Sequence, residues 1–126
     1  MLRVTVKNYQ DAESCPFRDV LDRIGDKWSF LVLAVLEDEA KRFNEIKRLI
    51  GDISQRVLTK TLRELERDGY VSRTVYPESP PKVVYELTEL GESMLNPLKI
   101  FVAWAVDSHQ QVKKARQQYD NRKDQN

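Results

Sequence analysis

Five polar side chains in the middle of the chain have the chemistry and the spacing to contact a nucleic acid. They are Gln55, Arg56, Thr59, Lys60 and Arg63. Gln and Arg can form paired hydrogen bonds with the edges of adenine and guanine, each worth about 1–3 kcal/mol of base discrimination. Thr59 can contact a thymine methyl group or a phosphate, whereas Lys60 and Arg63 are suited to phosphates, which supply affinity and salt dependence. The set predicts a surface that binds double-stranded DNA.

A helix over residues 55–68 would carry these side chains. Its apolar residues recur at helical spacing and would face inward: Val57, Leu58, Leu62 and Leu65. Ser54 is suited to cap this helix, and the free backbone amides of a helix N-terminus can bind a phosphate. Because Glu64, Glu66 and Asp68 make the far end acidic, we expect the N-terminal half to enter a DNA groove.

The surrounding pattern predicts a mostly helical domain with one β-hairpin. Helices are predicted at 16–24, 27–39 and 44–50 ahead of the one at 55–68. Strands are predicted at 70–76 and 83–87, separated by a proline-rich loop, and Thr88 is suited to cap a last helix. Two helices followed directly by a hairpin are typical of a winged helix-turn-helix, in which the hairpin forms the wing.

Four further residues could extend the contact to flanking phosphates. Arg73, Thr74 and Lys82 lie near the tip of the predicted wing, and Arg42 lies just before the helix at 44–50. Other nearby cations are Lys41, Lys47 and Arg48, whose direction the pattern does not fix. For any single one of these residues a solvated surface position explains the sequence equally well, but the whole set in this element order favours DNA binding.

Length and composition exclude several other classes of protein. The chain has 126 residues, the size of one domain, and is 40% apolar. No apolar run approaches the roughly 20 residues that a membrane-spanning helix needs, and the first residues lack a signal-peptide layout. With one cysteine and one histidine, the sequence offers neither an internal disulfide nor a thiolate metal cluster. We therefore expect a cytoplasmic protein with no metal, no cofactor and no membrane partner.

The formal charge of +1 is unevenly distributed along the chain. Residues 1–40 hold 5 Lys/Arg and 8 Asp/Glu, residues 41–82 hold 10 and 6, and residues 83–126 hold 6 and 6. A basic middle segment is a weak indication of a polyanion-binding surface. Scattered solubilising charge explains the same counts about equally well.

The last helical region carries more apolar surface than one small core needs. Its first stripe is Leu90, Met94, Leu98, Phe101 and Ala105, and its second is Leu95, Val102 and Val106. We expect part of this surface to be buried across the two-fold axis of a homodimer. The predicted interface consists of Phe17, Val20, Met94, Leu98, Phe101, Val102 and Ala105.

The chain divides into three predicted segments. An N-terminal arm covers 1–14, and its alternating residues 2–6 could form a short edge strand. The winged helix-turn-helix domain with its dimerisation helices covers 15–108, where Pro97 must kink the last helix or start a new one. A polar C-terminal tail covers 109–126, in which two or three helical turns are expected before a disordered end.

Several motifs match one protein family in order and spacing. They include Cys15-Pro16, Arg42-Phe43-Asn44-Glu45-Ile46, Ile53-Ser54-Gln55-Arg56, Pro80-Pro81-Lys82-Val83 and Tyr85-Glu86-Leu87-Thr88. Over about 15–106 the chain resembles the HxlR-type winged helix-turn-helix transcriptional regulators of bacteria, a branch close to the MarR regulators. The resemblance implies a homodimeric repressor or activator on pseudo-palindromic DNA. It also implies that the helix at 54–68 contacts the major groove and the wing at 70–87 contacts the backbone or minor groove.

Cys15 is the candidate sensor of a chemical signal. It immediately precedes Pro16 at a predicted helix start, where backbone amides favour the thiolate, the reactive form of the side chain. Arg18 would support the thiolate, and Glu13 and Asp19 would oppose it. The resemblance implies that several such regulators sense oxidants, quinones, aldehydes or other electrophiles with the corresponding Cys-Pro cysteine. With no second cysteine, a switch needs a bridge between two Cys15 residues, a mixed disulfide with a small thiol, or direct alkylation.

Three other interpretations account for part of the sequence. Cys15 could be purely structural, which leaves a regulator that responds to no ligand. The domain could be a protein-interaction module, although such a module predicts apolar or acidic side chains where Gln55, Arg56 and Lys60 stand. A thiol enzyme is disfavoured because the only imidazole, His109, lies in the polar tail far from Cys15 and without an orienting motif, so we expect no catalytic residue.

Overall fold

The computed structural model describes residues 15–125, and the side chains of 15–124. Its elements are α1 (Pro16–Ile24), α2 (Lys27–Val35), α3 (Phe43–Ile50), α4 (Gln55–Arg67), β1 (Val71–Tyr76), β2 (Lys82–Leu87) and α5 (Glu89–Gln125). This is the predicted order, so the expectation of a mostly helical fold with a hairpin wing is confirmed. The arm predicted at 1–14, with its strand at 2–6, lies outside the described residues.

The helix starts follow from local capping chemistry. The Asp26 carboxylate accepts a hydrogen bond from the Ser29 amide at 2.8 Å and caps α2. The Ser54 hydroxyl accepts one from the Val57 amide at 3.1 Å and caps α4, as predicted. Each bond satisfies one of the amide donors that the first turn of a helix leaves unpaired, so the sequence itself fixes where α4 begins.

The second helix is shorter than predicted, because α2 ends at Val35 and not at residue 39. Three acidic residues follow at 37–39, and negative charge at a helix C-terminus opposes the helix dipole. Asp38 instead accepts a hydrogen bond from the ammonium of Lys41, with 2.5 Å between Nζ and Oδ1. The loop after α2 therefore folds back on itself and brings Lys41 to the wing.

The last helix is longer and more regular than predicted. It is one element from Glu89 to Gln125, with Pro97 inside it, so Pro97 does not start a new helix. The prediction that the tail ends in disorder is wrong up to Gln125, because the helix continues to that residue. Arg122 and Lys123 lie in the last turn, where positive charge complements the helix dipole. Among residues 15–125, no helix combines the length and the apolar character needed to cross a lipid bilayer.

The hydrophobic core lies where α2, α3, α4 and α5 meet. Its most deeply buried side chains are Val32, Leu33, Ile46, Leu58, Leu62 and Leu95. Leu58, Leu62 and Leu65 of α4 face this core as predicted, and Val57 is half-buried. The inward side of α4 is thereby fixed, and this determines which of its residues face outward.

The wing is an antiparallel hairpin whose register runs from Val71 opposite Leu87 to Tyr76 opposite Lys82. Its base is tied to the loop after α2, because the backbone of Lys41 pairs with Tyr85 through two hydrogen bonds of 2.9 and 2.8 Å. Just before β1, Gly69 has φ = +85°, a left-handed conformation that few residues other than glycine adopt. This turn lets the chain pass directly from α4 into the wing.

Candidate nucleic-acid interface

The outward side of α4 presents the predicted polar residues together. Gln55, Arg56, Lys60 and Arg63 are exposed, and Thr59 is half-buried. The opposite side of the helix is anchored in the core by leucines that are 0–2% exposed. A helix held in this way can place its outward side chains against a partner without reorganising the domain, which is what contact with base edges requires.

Two hydroxyl groups near the start of α4 are already engaged within the protein. The Thr59 hydroxyl donates to the Gln55 carbonyl at 2.8 Å. The Ser54 hydroxyl accepts the capping bond, so its own O–H hydrogen remains available to donate to a phosphate at the helix N-terminus. Neither bond removes the methyl group of Thr59 from contact with a partner.

A groove of about 580 Å³ runs between α4 and the wing. Its lining residues are Phe43, Gln55, Thr59, Leu62, Arg63, Glu66, Arg73, Val83 and Tyr85. Arg63 comes from the helix and Arg73 from β1, so two elements bring cationic side chains to one groove. The groove therefore joins the α4 surface to the wing in a single candidate interface.

A smaller cavity of about 300 Å³ lies between the wing and the start of α3. Arg42 and Lys82 both line it, and the Lys82 ammonium is 5.4 Å from the ring centroid of Tyr76. Thr74 is exposed on β1 but lines neither of the two cavities. The structure thus brings Arg42 and Lys82 together and leaves Thr74 apart from them.

Lys41, one of the cations whose direction was open, points into the protein and not toward a partner. It is 6% exposed, and its ammonium donates to Asp38 and to the Glu39 carbonyl, at 2.5 and 3.4 Å. The same hydrogen bond holds the pKa of the Asp38 carboxyl below its ordinary value of 3.8. Lys41 is therefore a structural residue at the base of the wing. A local sequence pattern gave no means to recognise this role.

The candidate sensor Cys15 is buried. Its side chain is 2% exposed, and Sγ accepts a hydrogen bond from the Arg18 amide at 3.5 Å as the N-cap of α1. The predicted position at a helix start is confirmed. A reagent from solvent reaches this thiol only when the residues that cover it move.

The residues predicted for the dimer interface are only partly covered. Phe17 and Phe101 are exposed, whereas Val20, Met94, Leu98, Val102 and Ala105 are half-buried. Two apolar residues outside the predicted interface set are also exposed: Ile100 at 72%, and Trp104, which was expected in the core or at the interface, at 59%. The rings of Phe101 and Trp104 lie 6.4 Å apart.

We call Leu90, Ile100, Phe101 and Trp104 the apolar face of α5. Next to it lies an apolar depression of about 450 Å³, lined in part by Leu21, Phe30, Leu98 and Phe101 from three helices. Several large apolar side chains exposed on one helix beside such a depression are unusual for a protein that works as a single chain.

Comparison with known proteins agrees with this architecture. The family model described as HxlR-like helix-turn-helix matches residues 23–113. The HTH-type transcriptional regulator YdeP of Bacillus subtilis (strain 168) is 52% identical over 84 residues, which cover 67% of this chain and 66% of YdeP.

Two solved structures extend this likeness to three dimensions. The transcriptional regulator ytfH from Salmonella typhimurium is 36% identical, with a TM-score of 0.73, and the match covers 83% of this chain and 94% of that one. The redox regulator HypR in its oxidized form is 44% identical, with a TM-score of 0.68, over 74% and 96%. The chain therefore belongs to the HxlR-like helix-turn-helix family and carries the DNA-binding fold of these transcriptional regulators.

Proposed function

We propose that the protein is a sequence-specific DNA-binding regulator that acts as a homodimer on a pseudo-palindromic site. The observation that carries the proposal is the exposed, cationic and amide-bearing side of α4, held by the core and flanked by the wing. A winged-helix module that binds only proteins would be expected to expose apolar or acidic residues there. Gln55, Arg56 and Lys60 are exposed instead.

The contacts divide into two kinds with different consequences. Gln55 and Arg56, at the start of α4, contact base edges in the major groove and supply sequence preference. The methyl group of Thr59 contacts a thymine methyl group, because its hydroxyl already donates to the Gln55 carbonyl. Phosphates are contacted by the remaining predicted residues, which are Arg42, Ser54, Lys60, Arg63, Arg73, Thr74 and Lys82. These phosphate contacts supply affinity on any sequence and make binding dependent on salt.

Homodimerisation would cover the apolar face of α5. A two-fold axis through this face packs the same patch of each copy against the other. The two copies of α4 would then lie about 34–36 Å apart, one turn of DNA, and contact two half-sites on the same side of the duplex.

Selection of bound duplexes from a random pool at low salt tests the proposal. We expect enrichment of an inverted repeat whose half-sites are one helical turn apart, with sedimentation of the free protein as a dimer. A scrambled duplex of equal length serves as the control. Equal binding of the selected and scrambled duplexes would contradict sequence-specific recognition, and enrichment of single half-sites by a monomer would contradict the dimer.

We further propose that Cys15 makes the regulator responsive to oxidants or electrophiles. Its place at the start of α1 supports this, as does the similarity to HypR, which is described as a redox regulator. Diamide would take up the two thiol hydrogens as a disulfide forms between two Cys15 residues, or between Cys15 and a small thiol; an electrophile would alkylate the sulfur. Because Cys15 is buried, each reaction requires the residues packed over the thiol to move.

The Cys15→Ser variant separates this response from a structural role. We expect it to fold and bind DNA like the parent protein, and to lose the change in DNA affinity that diamide causes. A non-reducing gel distinguishes a bridged dimer from a mixed disulfide. If the variant responds as the parent does, Cys15 is not the sensor, and if the parent shows no response, Cys15 is structural.

A further inference from the structure

The end of α4 and the start of α5 are joined by three hydrogen bonds that centre on one residue. The Thr88 hydroxyl donates to the Gly69 carbonyl at 2.6 Å and accepts from the Gly91 amide at 3.0 Å. The Thr88 amide donates to the Tyr70 carbonyl at 3.1 Å. A single side chain therefore caps α5 and ties it to the turn that ends α4.

The same place is closely packed around Gly91. A Cβ atom built on Gly91 would lie 2.1 Å from the Tyr70 carbonyl oxygen and 2.7 Å from a methyl carbon of Leu87. Any larger residue would push α5 away from the chain that leaves α4. Tyr70 is itself bound to α4, since its amide donates to the Leu65 carbonyl at 2.9 Å.

A second anchor holds α5 farther along its length. Leu95 is fully buried in the core, and the Lys99 ammonium is 2.7 Å from the Glu37 carboxylate in the loop after α2. The direction of α5 relative to α4 is thus defined at two points. The Thr88 junction is the point that adjoins the turn at the end of α4.

The angle between α5 and α4 matters for DNA recognition, because α5 extends far beyond the points that hold it. From the Leu95 anchor to Trp104 the helix advances about 13.5 Å at about 1.5 Å per residue. A tilt of about 10° about that anchor would move the end of the apolar face by about 2.3 Å in each copy and by up to about 4.7 Å between the two copies, whereas one base pair advances DNA by about 3.4 Å. A small change of angle at the junction would therefore change the distance between the two α4 helices by about one base pair of DNA.

We propose that Thr88 and Gly91 are positioning residues that set the half-site spacing the dimer accepts. The inference rests on the proposed function, because it needs both DNA binding by α4 and a two-fold axis at the apolar face of α5. Neither residue contacts DNA. They act by fixing the angle between the helix that contacts bases and the helix that joins the two copies.

The test measures affinity for duplexes in which the selected half-sites are separated by the parent spacing or by one base pair more or fewer. For the parent protein we expect a preference of about tenfold or more for one spacing. Thr88→Val removes the hydroxyl and keeps the branched shape, and should flatten this preference while the affinity for an isolated half-site is unchanged. Thr88→Ser keeps the hydroxyl and should keep the parent profile.

A Thr88→Val variant with the parent spacing profile would overturn the inference, and so would a Thr88→Ser variant that loses it to the same extent. Gly91→Ala gives an independent test if Thr88→Val does not fold. It should shift the preferred spacing, because it displaces α5 from Tyr70, and an unchanged optimum would also overturn the inference. Failure of the proposed function itself would be seen earlier, as absence of any preferred duplex for the parent protein.

Discussion

Two helices of this protein, α4 and α5, each bury one side in the same core and present opposite chemistry on the other. The outward side of α4 carries Arg56 and Lys60, both exposed. The outward side of α5 carries Phe101 and Trp104, which are 65% and 59% exposed. A cationic surface suits a hydrated polyanion, whereas an apolar surface gains free energy only when another apolar surface covers it. The outward side of each helix, more than the core that the two helices share, therefore indicates its proposed partner, which is DNA for α4 and a second copy of the chain for α5.

The largest effect is expected from a charge placed on the apolar face of α5. In Trp104→Glu the two copies can no longer pack this face without burying a carboxylate. We expect a monomer in sedimentation velocity, and a loss of about 10²–10⁴ in affinity for the full site because the second half-site is no longer tethered. Gln110→Glu, at an exposed polar position of the same helix, is the matched control. A Trp104→Glu dimer as stable as the control would show that this face is not the interface.

A smaller and different effect is expected from the wing. Arg73→Ala and Lys82→Ala should each weaken binding by a similar factor on cognate and scrambled duplexes, since phosphates carry no sequence information. Each should also reduce the slope of log affinity against log salt by about 1. Titrations at several salt concentrations measure this, with Glu78→Ala at the exposed loop of the wing as control. A slope equal to that of the parent would mean that the wing does not reach the backbone.

The smallest effect is expected at the base of the wing. The Lys41 hydrogen bond lowers the pKa of Asp38 from 3.8, so the bond stabilises the folded state above that pH and this stabilisation is lost as pH falls through the folded-state pKa. Asp38→Asn should therefore unfold at a lower urea concentration at neutral pH, with a shallower loss of stability in acid. Glu39→Gln, its exposed neighbour, is the control. Equal behaviour of the two variants would contradict a specific role for the Asp38 pair.

The α4 face could be predicted from the sequence because everything that determines it is local. The cap at Ser54 and the leucines at helical spacing lie within the helix itself, and the outward residues follow from them. The cap that Thr88 forms at the start of α5 is also local and could be predicted. Its second hydrogen bond, to Gly69, could not be predicted, because it depends on how the hairpin returns the chain to the end of α4.

Other features depend on tertiary contacts, or on a balance between helix and disorder, and the sequence pattern determines neither. Lys41 looks like any surface cation until the loop after α2 folds back and pairs it with Asp38. The polar segment after Ser108 has a composition that suits either a disordered tail or a solvated helix, and the structure shows a helix to Gln125. In the proposed dimer a second copy covers the apolar face of α5, and a pattern within one chain does not specify that contact.

The most direct test of the central claim is the base preference of Arg56→Ala, measured by selection from a random pool beside the parent protein. Arg67→Ala, an exposed arginine at the far end of α4, is the matched control. The account predicts that Arg56→Ala loses about 10- to 100-fold of discrimination at one position of each half-site, while Arg67→Ala selects the parent sequence. Identical selected sequences for Arg56→Ala and the parent would contradict base contact by α4.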